Sequence, residues 1–224
     1  MAGLVVAMDG PSGSGKSSVS RAVARELGLR YLDTGAMYRA MTWWMLRQGV
    51  DLDDPEAIAA RSGEPEITSG TDPDAPAIAV DGEDVAGPIR GPEVTAAVSA
   101  VSAVPEVRRR LVAQQQAIMD ESCRDGAGIV IEGRDIGLVV APQAPVKIFL
   151  TASAEARARR RTAELTGTTV EAQQAAMARR DTLDSTRAAS PLAKADDAVE
   201  LDTTALSLEE VISEVLRLTK ERTP

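Results

Sequence analysis

Near the start of the chain, Gly10-Pro11-Ser12-Gly13-Ser14-Gly15-Lys16-Ser17 sets a glycine, four residues, then Gly-Lys-Ser. That spacing suits a loop that cradles phosphate. Glycines let the backbone curl until successive N–H groups point at one centre, and a following helix adds the positive end of its dipole. In such a loop successive main-chain N–H groups surround phosphate oxygens. Lys16 reaches the β- and γ-phosphates, and the Ser17 hydroxyl is placed to coordinate Mg²⁺.

The other candidate residues are mostly arginines. Lysine occurs only at 16, 147, 194 and 220, and there is no histidine. The missing histidine removes the commonest general base and the Ser-His triads. Phosphoryl transfer is unaffected, because positioning and charge neutralisation carry most of it. Arginine suits bidentate phosphate recognition. Arg39 lies about one turn into a helix, beside Tyr38, where a phosphate or base is met. Arg134-Asp135 follow a core strand, where open α/β sheets place ligands. Arg157, Arg159, Arg160, Arg161, Arg179, Arg180 and Arg187 crowd about thirty residues of an otherwise acidic chain, the composition of a lid that brings cations over transferring phosphates.

The elements that position these residues follow from the pattern. At 224 residues and 44% hydrophobic content the chain supports one α/β domain with a small insert, and 2% aromatic content leaves Val, Leu, Ile, Ala and Met to fill its core. Leu4 to Asp9 reads as a strand, and Ser18 to Leu27 as a helix. Strands are expected at Leu29–Leu32, Ile129–Ile131, Val146–Leu150 and Ala198–Asp202. A helix capped by Thr34 should run to Gln48, with Gly49 at its end. Its adjacent Trp43 and Trp44 cannot share a face, so one is expected in the core and the other against the insert. Residues 51–65 read as a connector with one short helical piece. Residues 66–90 change texture, and Asp81-Gly82 between short apolar runs signals a hairpin, with acidic turns that serve solubility. Helices open at Pro92 and Pro105, the first carrying Ser99 and the second Arg108. Two further helices are separated at Gly167, and Ser207 with Glu210 makes a capping box for the last. Alternation of this kind gives a parallel five-stranded sheet flanked by helices. The expected organisation is a single phosphate-loop α/β domain over 1–224, with an inserted β-containing lobe at 62–92 and a helical lid at 153–190.

The formal net charge of −9 argues against a nucleic-acid surface. The lone Cys123 excludes an internal disulfide. The start of the chain shows neither a basic leader nor a long apolar run, so a cytoplasmic location is expected. A monomer is the default, because no apolar stripe demands a partner.

A guanine-reading Asn-Lys-x-Asp segment is missing, and so is the apolar run ending in Asp or Asp-Glu of motor ATPases. What remains is the layout of an enzyme that closes over a donor nucleotide and a small acceptor, excluding water. The chain resembles the bacterial cytidylate kinases along essentially its whole length. The resemblance rests on Met8-Asp9-Gly10 leading into the loop, Leu32-Asp33-Thr34-Gly35-Ala36-Met37-Tyr38-Arg39, Asp81-Gly82-Glu83-Asp84-Val85, Ile89-Arg90, Glu132-Gly133-Arg134-Asp135-Ile136-Gly137, Ala144 to Leu150, and Arg179-Arg180-Asp181 with Asp184-Ser185 and Arg187.

The resemblance implies roles. ATP would be the donor, its phosphates held by Gly10 to Ser18, with Mg²⁺ as cofactor, and CMP or dCMP the acceptor. Arg39, Arg134 and Arg187 would hold the acceptor phosphate, and Thr34 and Tyr38 would belong to the same pocket. Ser99, Arg108 and Asp135 would read the cytosine edge, whose amino group donates to a carboxylate where uracil presents a carbonyl. Asp184 would bind the sugar hydroxyls. Lys16, Arg134, Arg157, Arg161 and Arg180 would act on the transferring phosphoryl group, and Asp33 would orient a metal-bound water. Thr182 and Leu183 stand where some relatives carry lid arginines. The alternatives are a P-loop kinase for another acceptor (UMP, another nucleoside monophosphate, or a shikimate-like alcohol) and a nucleotide-dependent binding switch.

Overall fold

The computed structural model describes residues 3–163, 169–187 and 190–223. The expected break at Gly167 lies outside the described residues. The elements run β1 (Val5–Asp9), α1 (Lys16–Leu27), β2 (Arg30–Asp33), α2 (Thr34–Arg47), α3 (Pro55–Arg61), β3 (Ile67–Ser69), β4 (Ile78–Val80), β5 (Glu83–Asp84), α4 (Pro92–Ala103), α5 (Pro105–Arg124), β6 (Ile129–Glu132), β7 (Val146–Thr151), α6 (Ala154–Ala163), α7 (Val170–Thr186), β8 (Val199–Asp202) and α8 (Leu208–Arg222). A 3-10 turn spans Pro88–Arg90, and a π-helical turn spans Ile136–Val140.

The main sheet is parallel, in the order β2-β6-β1-β7-β8. Every residue of β1 is buried. Alternate residues feed separate cores: Val5 and Ala7 join α2 and α5 on one face, while Val6 and Met8 join α1 and α8 on the other. Methionine does the work of missing aromatics, with Met8, Met37, Met41 and Met45 fully buried. Because β1 is central, its carboxyl end delivers the phosphate loop to the middle of the cleft.

The helix after β2 starts at Thr34, but its cap is Asp33, whose Oδ1 accepts from Ala36 N at 2.9 Å. The Thr34 hydroxyl is drawn instead to Glu132 O, 2.7 Å away. Residues 67–84 form a separate antiparallel sheet in the order β3-β4-β5, closed at Asp81-Gly82. One tryptophan combines both expected jobs. Trp44 is buried, and its indole N–H donates to Asp81 Oδ2 at 3.0 Å, while Trp43 is half-buried at the core margin beneath Arg47. Asp81 also accepts from Glu66 N at 2.7 Å, so this acidic turn is structural rather than merely solubilising. On its opposite side the insert leans on α1, where Arg21 Nε donates to Pro73 O at 2.9 Å and Arg25 pairs with Asp74 at 2.6 Å. Among the described residues no helix is long and apolar enough to cross a membrane.

Candidate active site

The phosphate loop is held in shape by contacts within the chain. Gly10 is irreplaceable, because a Cβ there would lie 2.1 Å from Leu150 O in the neighbouring strand, at φ 145°. The Lys16 side chain folds back under the loop, donating to Pro11 O at 2.7 Å and lying 3.4 Å from Ser14 Oγ. The first turn of α1 has neither a side-chain cap nor an acidic residue, so its N–H groups are left for an anion. Burial, and next the positive charge of Arg134, push the Lys16 ammonium well below its ordinary range. Ser17 Oγ donates to Glu132 Oε2 at 3.0 Å, and the Tyr31 hydroxyl donates to the other oxygen of that carboxylate. Burial, then the nearby Asp33, pushes the Glu132 carboxyl up.

Above the loop lies a cavity lined also by Arg39, Arg90, Glu132, Arg134, Arg161 and Arg180. Its cations repel one another. Arg39 is pushed down to about 10 by burial and then by Arg161, and Arg180 to about 9 by burial and then by Arg134 and Arg39. A chain does not hold so many cations together without a polyanion to receive. Arg39 meanwhile donates to Ile89 O at 3.0 Å and Thr95 Oγ1 at 2.8 Å, across the edge of the insert.

A second pocket opens behind Arg134 and Arg180, which line both spaces. Its walls include Tyr38, Ser99, Arg108, Asp135, Asp184 and Arg187. Arg108 and Asp135 form a buried ion pair, their side chains 4% and 6% exposed, with the Arg108 guanidinium 5.3 Å from the Tyr38 ring centre. Asp184 gathers Arg134 Nε at 3.3 Å, Ser99 Oγ at 3.5 Å, Arg187 at 3.9 Å and Arg180 at 4.0 Å. Arg187 also lies 3.9 Å from Asp135. Nε of Arg108, Nε of Arg180 and Nη2 of Arg187 are buried without a hydrogen-bond partner. Three such donors in one small pocket fit a ligand with several acceptors.

The sequence-picked residues therefore converge, with distinctions. Of the four arginines from 157 to 161, Arg161 lines the phosphate cavity. Arg157 braces the loop from outside, donating to Ser12 O at 2.9 Å and to Asp181 at 2.5 Å. Arg159 pairs with Glu155 on the surface, and Arg160 holds Thr203. Arg187 sits in the second pocket rather than beside Arg39. Thr34 lines that pocket as well. Four residues at the site went unassigned in the sequence reading: Asp9, Arg90, Glu132 and Asp181. All four lie inside the resembling segments, yet only spatial neighbours reveal their contacts. Asp181, on α7, accepts from Ser12 N at 3.2 Å and so ties that helix to the loop.

A sequence model of the family described as Cytidylate kinase matches residues 6–221. A cytidylate kinase of Streptomyces avermitilis is 60% identical, the alignment covering 98% of this chain and 94% of the relative. One from Streptomyces coelicolor is 62% identical over the same shares. Among solved structures, a gluconokinase from Sinorhizobium meliloti 1021 superposes with a TM-score of 0.52 at 15% identity, covering 97% of this chain and 92% of the other. A sugar kinase from Janibacter sp. HTCC2649 gives 0.50 at 19% identity, covering 97% and 94%. The two kinase structures share the P-loop α/β fold with this chain, and on the full-length match the chain belongs to the cytidylate kinase family.

Proposed function

We propose that the chain transfers the γ-phosphoryl group of ATP to CMP or dCMP, giving ADP and CDP or dCDP. The carrying observation is the pair of adjoining cavities that share Arg134 and Arg180, one floored by the phosphate loop and the other carrying a buried carboxylate at Asp135. An acceptor phosphate seated between Arg39 and Arg134 would meet the γ-phosphate above Lys16. One of its oxygens attacks the γ-phosphorus. The bond to the β–γ bridging oxygen breaks, and that electron pair stays on ADP. The acceptor phosphate is already anionic, so no protein base is required, and the arginines offset its repulsion with ATP.

Asp135 and Arg108 would present an acceptor and a donor to the cytosine edge, with Ser99 beside them. Asp184 would take the sugar hydroxyls. In this reading 62–92 forms the acceptor-side lobe and 153–190 the lid, with Arg161 and Arg180 inward. The residues present suit Mg²⁺. Ser17 and the buried Glu132 are hard oxygen donors in direct contact, with Asp33 on the same cavity wall. Magnesium in kinase sites uses one or two carboxylates, water and substrate phosphates. When bound it would neutralise charge on the β- and γ-oxygens. We further propose a monomer acting in the cytoplasm on small nucleotides.

The test is ADP formation from ATP and Mg²⁺ across CMP, dCMP, UMP, AMP, GMP and shikimate. Turnover with CMP and dCMP well above the rest is expected. Preference for another acceptor would overturn the base-reading roles, and ATP binding without any turnover would favour a switch.

A further inference from the structure

Asp9 is the last residue of β1, in the position just before the phosphate loop, and the chemistry above makes no use of it. It is 6% exposed. Its two oxygens each accept one backbone N–H from the turn that follows Asp135: Ile136 N reaches Oδ1 at 2.8 Å, and Gly137 N reaches Oδ2 at 2.8 Å. That turn is π-helical, with Ala141 N bonded to Ile136 O at 2.7 Å. Turns of this kind are uncommon and cluster at functional positions. Its first N–H groups need an acceptor, and the residue at the capping position is Asp135 itself, a side chain well suited to cap. Asp135 nevertheless makes no capping bond; its carboxylate turns the other way, to Arg108.

We propose that Asp9 caps the Ile136–Val140 turn in place of Asp135, and so is the positioning residue that frees the Asp135 carboxylate to face the base of the acceptor nucleotide. The inference rests on the base-reading role given to Asp135 above. A neighbouring contact makes the arrangement specific. Gly133 N donates to Met8 O at 3.0 Å, so the strand carrying Asp9 also fixes the start of the Arg134-Asp135 segment. One residue thereby joins the strand that bears the donor loop to the turn that reads the acceptor.

The experiment compares kcat/KM for CMP and for UMP, with KM for ATP, in wild type, Asp9→Asn, Asp135→Asn and the double variant. Asparagine keeps the shape of Asp9 but turns one acceptor into a donor facing an N–H. The CMP-to-UMP ratio is expected to fall about tenfold in Asp9→Asn, through KM for the nucleotide, with KM for ATP nearly unchanged. In the Asp135→Asn background the same change should leave the ratio where it is. An equal loss for both acceptors, with the ratio intact, would make Asp9 merely structural and overturn the proposal. An intact ratio in Asp135→Asn would overturn the base-reading role, and the proposal with it. Should Asp9→Asn fail to fold, Asp9→Ser removes both carboxylate oxygens without adding bulk and is expected to lower the ratio. An Asp9→Ser enzyme that folds and keeps wild-type discrimination would overturn the proposal equally.

Discussion

The phosphate loop and the pocket behind Arg134 both present polar groups to a cavity, but they are built from different material. The loop presents main-chain N–H groups at a helix end with no acidic residue in its first turn. The pocket presents side chains from α2, α4, α5, the Glu132–Asp135 segment and α7, whose charges are already partly matched by Asp135 and Asp184. A main-chain site is rigid and indifferent to which nucleotide carries the phosphates. A pocket of paired side chains gives selectivity, because a wrong ligand leaves a buried charge unmatched. The lesson, on the function proposed above, is a division of labour within one cleft: the backbone would bind the common donor, and ion pairs would choose the acceptor.

The largest break in this contrast comes from Lys16→Ala. It removes the single side-chain cation folded into the loop, and kcat is expected to fall on the order of a thousandfold with circular dichroism and melting curve unchanged. Retained turnover would mean that the loop works by backbone alone. Next is Asp184→Asn, which unties Arg134, Arg180 and Arg187 together. KM for CMP is expected to rise roughly thirtyfold while KM for ATP moves less than about threefold. Equal damage to both constants would erase the distinction between the two halves.

A smaller effect sharpens the role of the insert. Trp44→Phe deletes the N–H to Asp81 but keeps the buried ring, costing about 1 kcal/mol. Differential scanning calorimetry should show a Tm lower by roughly 2–4 °C. No change would mean that the contacts of Arg21 and Arg25 with Pro73 and Asp74 anchor the insert by themselves.

The same division governs how much was readable from sequence. The loop is contiguous, so eight adjacent residues announce both its shape and its ligand. The hairpin at Asp81-Gly82, the capping box at Ser207 and Glu210, and the strands around β1 follow from local pattern, and the structure carries each of them. The cap of α2 shifted from Thr34 to Asp33 because a tertiary acceptor, Glu132 O, competes for the threonine hydroxyl. The second pocket draws on five separate segments, and only resemblance grouped them. Resemblance in turn said nothing of which arginine points where. Arg157 and Arg161 share one helix four positions apart, yet Arg157 is captured by Ser12 and Asp181 while Arg161 faces the phosphate cavity. Nor does any periodicity mark Asp9 as different from another strand residue, since its partners lie more than a hundred residues away.

The smallest expected effect concerns pH and tests whether donor strand and acceptor pocket are coupled at all. Burial pushes the Asp9 carboxyl up to about 6, against the lowering effect of its two N–H partners; the charge of Asp135 adds to the rise, and Lys16 opposes it. Above that value the carboxylate accepts both N–H groups. Below it one oxygen carries a proton and loses its place as an acceptor, so the turn loosens and Asp135 is held less firmly. The ratio of kcat/KM for CMP to that for UMP should therefore fall severalfold between about pH 7.5 and about pH 5. Both nucleotides carry the same phosphate, so its own titration cancels in the ratio. In Asp9→Asn that pH dependence should flatten at the lower value. A wild-type ratio that is constant across the range would uncouple the two halves of the cleft, leaving the acceptor pocket to be positioned by its own ion pairs.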